Sequence, residues 1–287
     1  MSANAPSGLR CRKIIAADTP SIARLLARGF PGRSLSYWTA ALRELADRDC
    51  PENYPRYGYL LEYGREPVGV LLTIFHKLDD GAVRCNISSW HVADAFRGYA
   101  SLLVTCALRH RDVVYMNISP APSTWGAIEA QGFRRYCNGQ FVTLPALGRN
   151  RADAHVVPYD GAVHDRLLST DEREAMPHHT GRGCIGRIVL EENAAYPYLF
   201  LPRRVLSIFP ALQLVYSRDL SCFQHHAQAL GRALLARGHL TVLVDANGPL
   251  PNIPGLYLED RGPKYFKGPR APRLGDLTFC ENVLFGP

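Results

Sequence analysis

The sequence predicts an α/β (α+β) fold made of two related halves, and three observations predict it. Residues 85–133 read as strand, tight Arg-Gly turn, amphipathic helix, strand, short loop and second helix. Upstream lie short β-prone runs joined by tight turns. Beyond residue 154 a second strand–helix–strand follows, echoing the first. Alternation of this kind packs helices onto a sheet rather than building a bundle or a sandwich.

Arg12-Lys13-Ile14-Ile15 reads as the first strand. Asp18 or Thr19 can cap a helix from about Pro20 to Arg28, with proline near its start as helices prefer. Tyr37 to Asp47 is a second helix. Tyr57 to Tyr63 and Val68 to His76 are strands joined by the turn Gly64-Arg65-Glu66-Pro67, and Asp79-Asp80-Gly81 turns into the strand that ends near Val92. Residues 93–101 break that strand. Leu102 to His110 is helical, Val113 to Asn117 is a strand, and Ser123 to Gln131 is a helix closing on Gly132-Phe133. A strand that opens through Arg97-Gly98 into a helix N-terminus presents free backbone N–H groups to an anion, of which phosphate is the obvious one.

This order and these residues resemble the GNAT (Gcn5-related N-acetyltransferase) superfamily, whose motif runs Val-x-Pro-x-x-Arg-Gly-x-Gly-Ile-Gly and is followed by a helix, a strand with an Asn, and Ala-x-x-x-Tyr-Glu-Lys-x-Gly-Phe. Val92, Arg97 and Gly98 match the first part; Asn117, Glu129, Gly132 and Phe133 match the second. The match covers about residues 11–145. Ala100 and Leu102 stand where the later glycines fall, and Ile128 stands where many members carry a Tyr that protonates the leaving thiolate.

The resemblance implies a mixed, mostly antiparallel sheet flanked by helices. It implies a V-shaped gap between the fourth and fifth strands that takes the pantetheine arm of acetyl-CoA or another acyl-CoA as co-substrate. By position, Trp90, His91 and Val92 supply the edge, with the Val92 N–H on the thioester oxygen. Arg97, Gly98, Tyr99, Ala100, Ser101 and Leu102 hold the pyrophosphate, and Asn117 completes the cofactor-binding set. Ser123, Tyr99 and Tyr115 are near in sequence as substitutes for the missing acid, Ser123 being the one expected to face the gap. His91 and Asp94, which flank Val92, and Glu62, late in the second strand, are candidate bases. Alternation sends His91 and Val92 to opposite faces. The catalytic expectation is therefore His91, Glu62 and Ser123, each weighed against an ordinary structural role.

Residues 147–154 are polar and aperiodic and read as a linker between a GNAT-like acyl-CoA-binding domain at 1–146 and a degenerate GNAT-like domain at 155–287. In the second half, Ile185 to Leu190, Tyr198 to Leu201 and Leu212 to Ser217 read as strands. Ser221 to Arg237 reads as a helix with Phe223, Ala227, Leu230 and Leu234 on one face, and Leu240 to Val244 as a buried strand. Tyr216-Ser217-Arg218-Asp219 carries no Arg-Gly-x-Gly signature.

Composition excludes several classes. With 47% hydrophobic residues the 287-residue chain can bury substantial cores and is not a disordered protein. No apolar run approaches the roughly 18 residues of a membrane span, and the start has no signal-peptide character. The eight cysteines are scattered without a Cys-x-x-Cys, which fits reduced thiols in a cytoplasmic protein. The net charge of +7 sits almost wholly in residues 1–150, which suits a polyanion such as CoA. His225-His226 are helix neighbours that point apart, no companion ligand is evident, and no metal is expected. Residues 262–270, basic and aromatic between Gly and Pro, read as a surface loop. The expected function is acyl-CoA-dependent transfer to a small amine, with no membrane or nucleic-acid partner. A non-catalytic GNAT-like protein that binds CoA or a partner is the first alternative. A Fem-like transferase using aminoacyl-tRNA is the second, and the Arg-Gly turn argues against it.

Overall fold

The computed structural model describes residues 8–149, 154–191, 194–205 and 209–286. Two compact units are present, Met1–Asn117 with Lys267–Arg270, and Ile118–Phe266 with Ala271–Pro287.

The first unit runs β1 (Leu9–Lys13), α1 (Thr19–Gly29), α2 (Leu35–Asp47), β2 (Gly58–Tyr63), β3 (Glu66–Lys77), β4 (Val83–Val92), α3 (Ala100–Ala107) and β5 (Val114–Asn117). Its strands lie in the order β1-β2-β3-β4-β5. All pairs are antiparallel except β4–β5, which the α3 crossover makes parallel. α1 buries Ile22, Ala23, Leu25 and Leu26 on one stripe, and α2, capped by the Ser34 hydroxyl on the Tyr37 N–H, buries Trp38, Ala41, Leu42 and Leu45. Each buried Ile or Leu among these contributes about 1.5–3 kcal/mol. β3 is buried along most of its length because α1 and α3 both pack on it. A Cβ added at Gly69 of β3 would meet Leu103 of α3, Leu61 and Val92 at 3.2 Å, so these three side chains crowd one face. α3 begins at Ala100, two residues before the predicted start, after a 3-10 turn over Asp94–Tyr99.

The second unit runs α4 (Trp125–Ala130), β6 (Arg134–Thr143), β7 (His155–Pro158), α5 (Gly161–His164), α6 (Thr170–Thr180), β8 (Ile185–Glu191), β9 (Ala194–Val205), β10 (Phe209–Tyr216), α7 (Leu220–Leu235), β11 (Val242–Ala246), β12 (Gly255–Lys267) and α8 (Glu281–Leu284); Lys267 itself counts with the first unit. Its strands lie in the order β12-β6-β11-β10-β9-β8-β7, antiparallel except for β10–β11. α7 places Phe223, Ala227, Leu230 and Leu234 in the same core as Phe141, Tyr198, Phe200 and Leu214, and the Asp219 carboxylate caps it by accepting the Cys222 N–H at 2.6 Å.

Element for element, β7–α5–α6–β8–β9–β10–α7–β11 repeats β1–α1–α2–β2–β3–β4–α3–β5. In each series the one parallel pair brackets a helix, β4–α3–β5 and β10–α7–β11.

The expected boundary at 147–154 does not coincide with the division after Asn117. The physical reason is β6, which pairs with β11 and β12 rather than with any strand of the first unit among the described residues. Residues 150–153 of the predicted linker lie outside the described residues. The predicted surface loop at 262–270 is corrected: residues up to Lys267 are the second half of β12. There Lys264, only 2% exposed, donates to Asp245 Oδ1 at 2.8 Å. Burying that ammonium beside a carboxylate, not exposure, explains the basic residue. No helix among the described residues is long and apolar enough to cross a membrane.

Candidate functional site

β4 and β5 part company early. Their ladder joins Arg84 to Val114, Cys85 to Tyr115 and Asn86 to Met116, and ends there. The Asn86 side chain sits at the fork, donating from Nδ2 to the Met116 and Ile87 carbonyls at 3.3 Å. β4 itself continues to Val92 and stays paired with β3 on its other edge. Among the described residues no strand pairs with the β5-side edge of residues 87–92. A bulge lies within this free stretch: Leu72 faces Ser88 and Val70 faces His91, so Ser89 and Trp90 together oppose Leu71, with Ser89 at φ +51°. Bulges of this kind re-aim a strand, often beside an active site.

Trp90, His91 and Val92 therefore lie together on a strand edge that is unpaired among the described residues. The Trp90 Nε1–H is buried without a hydrogen-bond partner. Val92 faces α3 through Gly69 and Leu103. His91 faces the opposite way: its ring lies on the backbone of Gly29, where any Cβ would come within 2.3 Å of it, and meets the Phe30 ring at 6.0 Å. Burial pushes the His91 pKa below the ordinary imidazole value; Asp94 opposes this, while Arg97 and Arg28 add to it. The imidazole is thus neutral near pH 7 and able to accept a proton.

Glu62 is differently placed. It is 3% exposed and accepts hydrogen bonds from Arg10 at 2.5 and 2.9 Å and from Arg12 at 2.7 Å. Arg12 also holds Asp18 at the start of α1. Burial acts to raise the Glu62 pKa, but the two guanidiniums outweigh it and hold the carboxyl below its usual range. This carboxylate is committed to two cations.

The Arg-Gly turn is a 3-10 segment leading into α3, whose N-terminus has no side-chain cap. Arg97 is exposed and pairs with Asp94 at 2.7 Å. The space around a Cβ at Gly98 is open. Tyr99 is the N-cap residue, Ala100 and Ser101 open the helix, and Leu102 is 38% exposed, turned to solvent rather than into the core. Asn117 ends β5, half-buried. Tyr115 is buried in the first unit, where its hydroxyl accepts the His110 N–H, and is removed from proton transfer. Ser123 is exposed on a 3-10 turn of the second unit, and Ile128 is buried in that unit's core.

The corresponding fork of the second series is filled. β10 pairs with β11 only at Leu212 and Gln213. Its next residues meet the chain's own C-terminal segment: the Leu277 N–H donates to the Val215 carbonyl at 2.8 Å, the Ser217 N–H donates to the Gly275 carbonyl at 2.9 Å, and Tyr216 bridges to Asp276. β9 holds the other edge of β10 at Tyr216, so residues 275–277 occupy the side that β11 has left. Sequence reasoning missed this plug, the bulge at Ser89 and Asn86. Only Ser88-Ser89, two small polar residues inside a β-prone run, signalled any of them.

An open strand edge beside an uncapped helix start suits a long ligand with amides at one end and phosphates at the other. No family model matches the chain, and no curated protein matches it in sequence. Solved structures do. A putative acetyltransferase from Pyrococcus horikoshii superposes over 97% of this chain and 96% of its own, at 13% identity and a TM-score of 0.54. A GCN5-related N-acetyltransferase from Anabaena variabilis superposes over 90% and 72%, at 9% identity and a TM-score of 0.59. The fold is the GNAT fold. A tandem GNAT protein from the clavulanic acid biosynthesis pathway matches 92% of this chain and all of its own, at 14% identity and a TM-score of 0.50. The repeated series is a tandem of GNAT cores, the first with an open fork and the second with a plugged one. A cavity of about 350 Å³ lined by Ala23, Arg24, Leu42 and Arg43 lies between α1 and α2. It is at the end of α1 away from Gly29 and His91, so it is not the fork.

Proposed function

We propose that this protein transfers an acyl group from acetyl-CoA, or from a longer acyl-CoA, to the nitrogen of a small amine, at the fork of the first GNAT core. The observation that carries the reading is the contrast between the forks: among the described residues, residues 87–92 keep a free edge, while the equivalent edge of β10 is occupied by residues 275–277.

The chain's own groups divide the work. The free β4 edge pairs with the amides of the pantetheine arm, and the Trp90 Nε1–H adds one donor. The Val92 N–H donates to the thioester oxygen as negative charge builds there. The turn at Arg97 to Leu102 and the start of α3 take the phosphates, and Asn117 borders the fork from the end of β5. His91, neutral and half-buried, removes the proton from the attacking amine. The nitrogen forms its bond to the acyl carbon as the C–S bond breaks, and the electron pair leaves on sulfur. A thiol pKa of about 8.5 makes that thiolate a good leaving group, so the apolar Ile128 at the family's acid position does not bar the reaction.

Calorimetric titration with acetyl-CoA and then longer acyl-CoAs tests the site. Micromolar binding, about −8 kcal/mol, followed by CoA release with members of an amine panel, is expected. Absence of binding by all of them would overturn the reading. Binding without turnover on any amine would leave a CoA-binding protein that is not an enzyme.

A further inference from the structure

We propose that Glu191, His225 and His226 form a binding site for a divalent ion of the zinc type, in the second unit and independent of the acyl-transfer reading. Helix geometry predicts that the neighbours His225 and His226 point apart with no companion in sequence, but in the fold their rings lie 4.9 Å apart. The fold also supplies a companion, because Glu191 ends β8 beside α7. His225 Nε2 lies 3.2 Å and His226 Nε2 lies 3.0 Å from the same carboxylate oxygen, Glu191 Oε1. All three donor atoms fall within 4.8 Å of one another. Tetrahedral zinc with ligands at 2.0–2.2 Å needs donor–donor edges of about 3.3 Å, and the two edges from Glu191 Oε1 are within a few tenths of that.

His226 carries the argument further. Its side chain is 1% exposed, and Nδ1 lies 2.6 Å from the Tyr198 hydroxyl. Its Nε2 is buried, meets no hydrogen-bond partner, and yet stands 3.0 Å from the carboxylate oxygen. A buried imidazole fixed through one nitrogen, with the other turned toward a carboxylate at poor hydrogen-bond geometry, is the arrangement of a metal ligand held by an outer partner. With the proton on Nδ1 donated to Tyr198, Nε2 offers a lone pair to the same point as Glu191 Oε1. Two electron pairs so directed are held together by a positive charge between them, a proton or a metal ion, and the absence of good hydrogen-bond geometry at Nε2 points to the metal.

The donor set selects the ion. Two imidazoles and one carboxylate suit zinc, copper(II) or nickel(II), whereas magnesium and calcium prefer oxygen. Three protein ligands, with His225 57% exposed, leave a fourth position to water. The ion would tie the end of β8 to α7.

Metal-free, full-length protein without an affinity tag is titrated with zinc chloride and, separately, cobalt chloride. One equivalent of zinc should bind and raise the melting temperature, as any ligand of the native state does. The cobalt spectrum should lack a thiolate charge-transfer band, which separates this site from the eight cysteines. His225→Ala and Glu191→Gln, both at partly exposed side chains, should fold and weaken zinc by more than the roughly 10-fold that loss of an outer partner brings. The proposal is overturned by absence of one-to-one binding, by a thiolate band, or by unchanged affinity in these two variants.

Discussion

The Phe279 amide donates to Nε2 of His179 at 3.0 Å, while His179 Nδ1 meets the Ala175 carbonyl at 2.7 Å. Only the neutral imidazole with its proton on Nδ1 satisfies both. Burial, and next to it the neighbouring His178, pushes the His179 pKa down to about 3. The folded state therefore refuses a proton that the unfolded state accepts near pH 6.5. The stability from this group is whole above about pH 6.5 and is lost as pH falls toward 3. The urea midpoint should decline over that window, and His179→Gln, already weaker at pH 7, should decline less. Equal declines would show that carboxylates alone set the acid limit.

Arg97 is tied to Asp94, both exposed, and such pairs are worth about 0–1 kcal/mol. Asp94→Asn should free the guanidinium for phosphate and leave acetyl-CoA affinity equal or higher. Arg97→Ala should weaken it several-fold. Leu102→Gly removes a solvent-facing side chain beside the turn and should leave affinity equal or improve it, at up to about 1 kcal/mol of helix stability. Titration calorimetry reads all three.

The proposed base is His91 rather than Glu62, whose carboxylate is committed to Arg10 and Arg12. His91→Ala should lower kcat by about 10²–10⁴-fold and leave acetyl-CoA binding little changed. The acid limb of the wild-type rate profile should fall below pH 6.5, since burial depresses this pKa. Glu62→Gln should instead lower the melting temperature by unpairing Arg10 and Arg12, with the rate profile unmoved.

Lys264 and Asp245 are 2% and 3% exposed at the side chain and 2.8 Å apart. Burial acts to depress the Lys264 pKa, but Asp245 outweighs it, so the ammonium keeps its charge. Lys264→Ala strands a buried carboxylate and should cost about 3–5 kcal/mol. Lys264→Met with Asp245→Leu should recover much of that in a thermal melt.

Periodicity made α1, α2, β2, β3 and β4 legible, with ends displaced by at most two residues. β6 was not legible: its residues from Tyr136 to Thr143 mix buried and half-buried positions without an apolar run. β12 was hidden by Gly262 and Pro263, which mark turns locally, while its charged Lys264 finds a partner 19 residues back. The open edge at Trp90 to Val92 was legible through the GNAT resemblance, because it is backbone that follows from strand order. What Glu62 does was not, since its partners come from β1 some 50 residues earlier. The plug in the second fork depends on residues about 60 positions downstream of β10 and leaves no local mark there.

The placement of β6 sets an order on synthesis. Thr143 leaves the ribosome about 100 residues before its partner Val242 and later still than that before Gly255. At bacterial-to-eukaryotic elongation rates this is a wait on the order of 5–20 s. The first unit waits as well, because Arg270 bonds Asp80 at 2.6 Å and Lys267–Arg270 belongs to it. Before Val242 is made, a nascent chain carries β6 without its partners, and it is at that stage that a chaperone or a second nascent copy would find it.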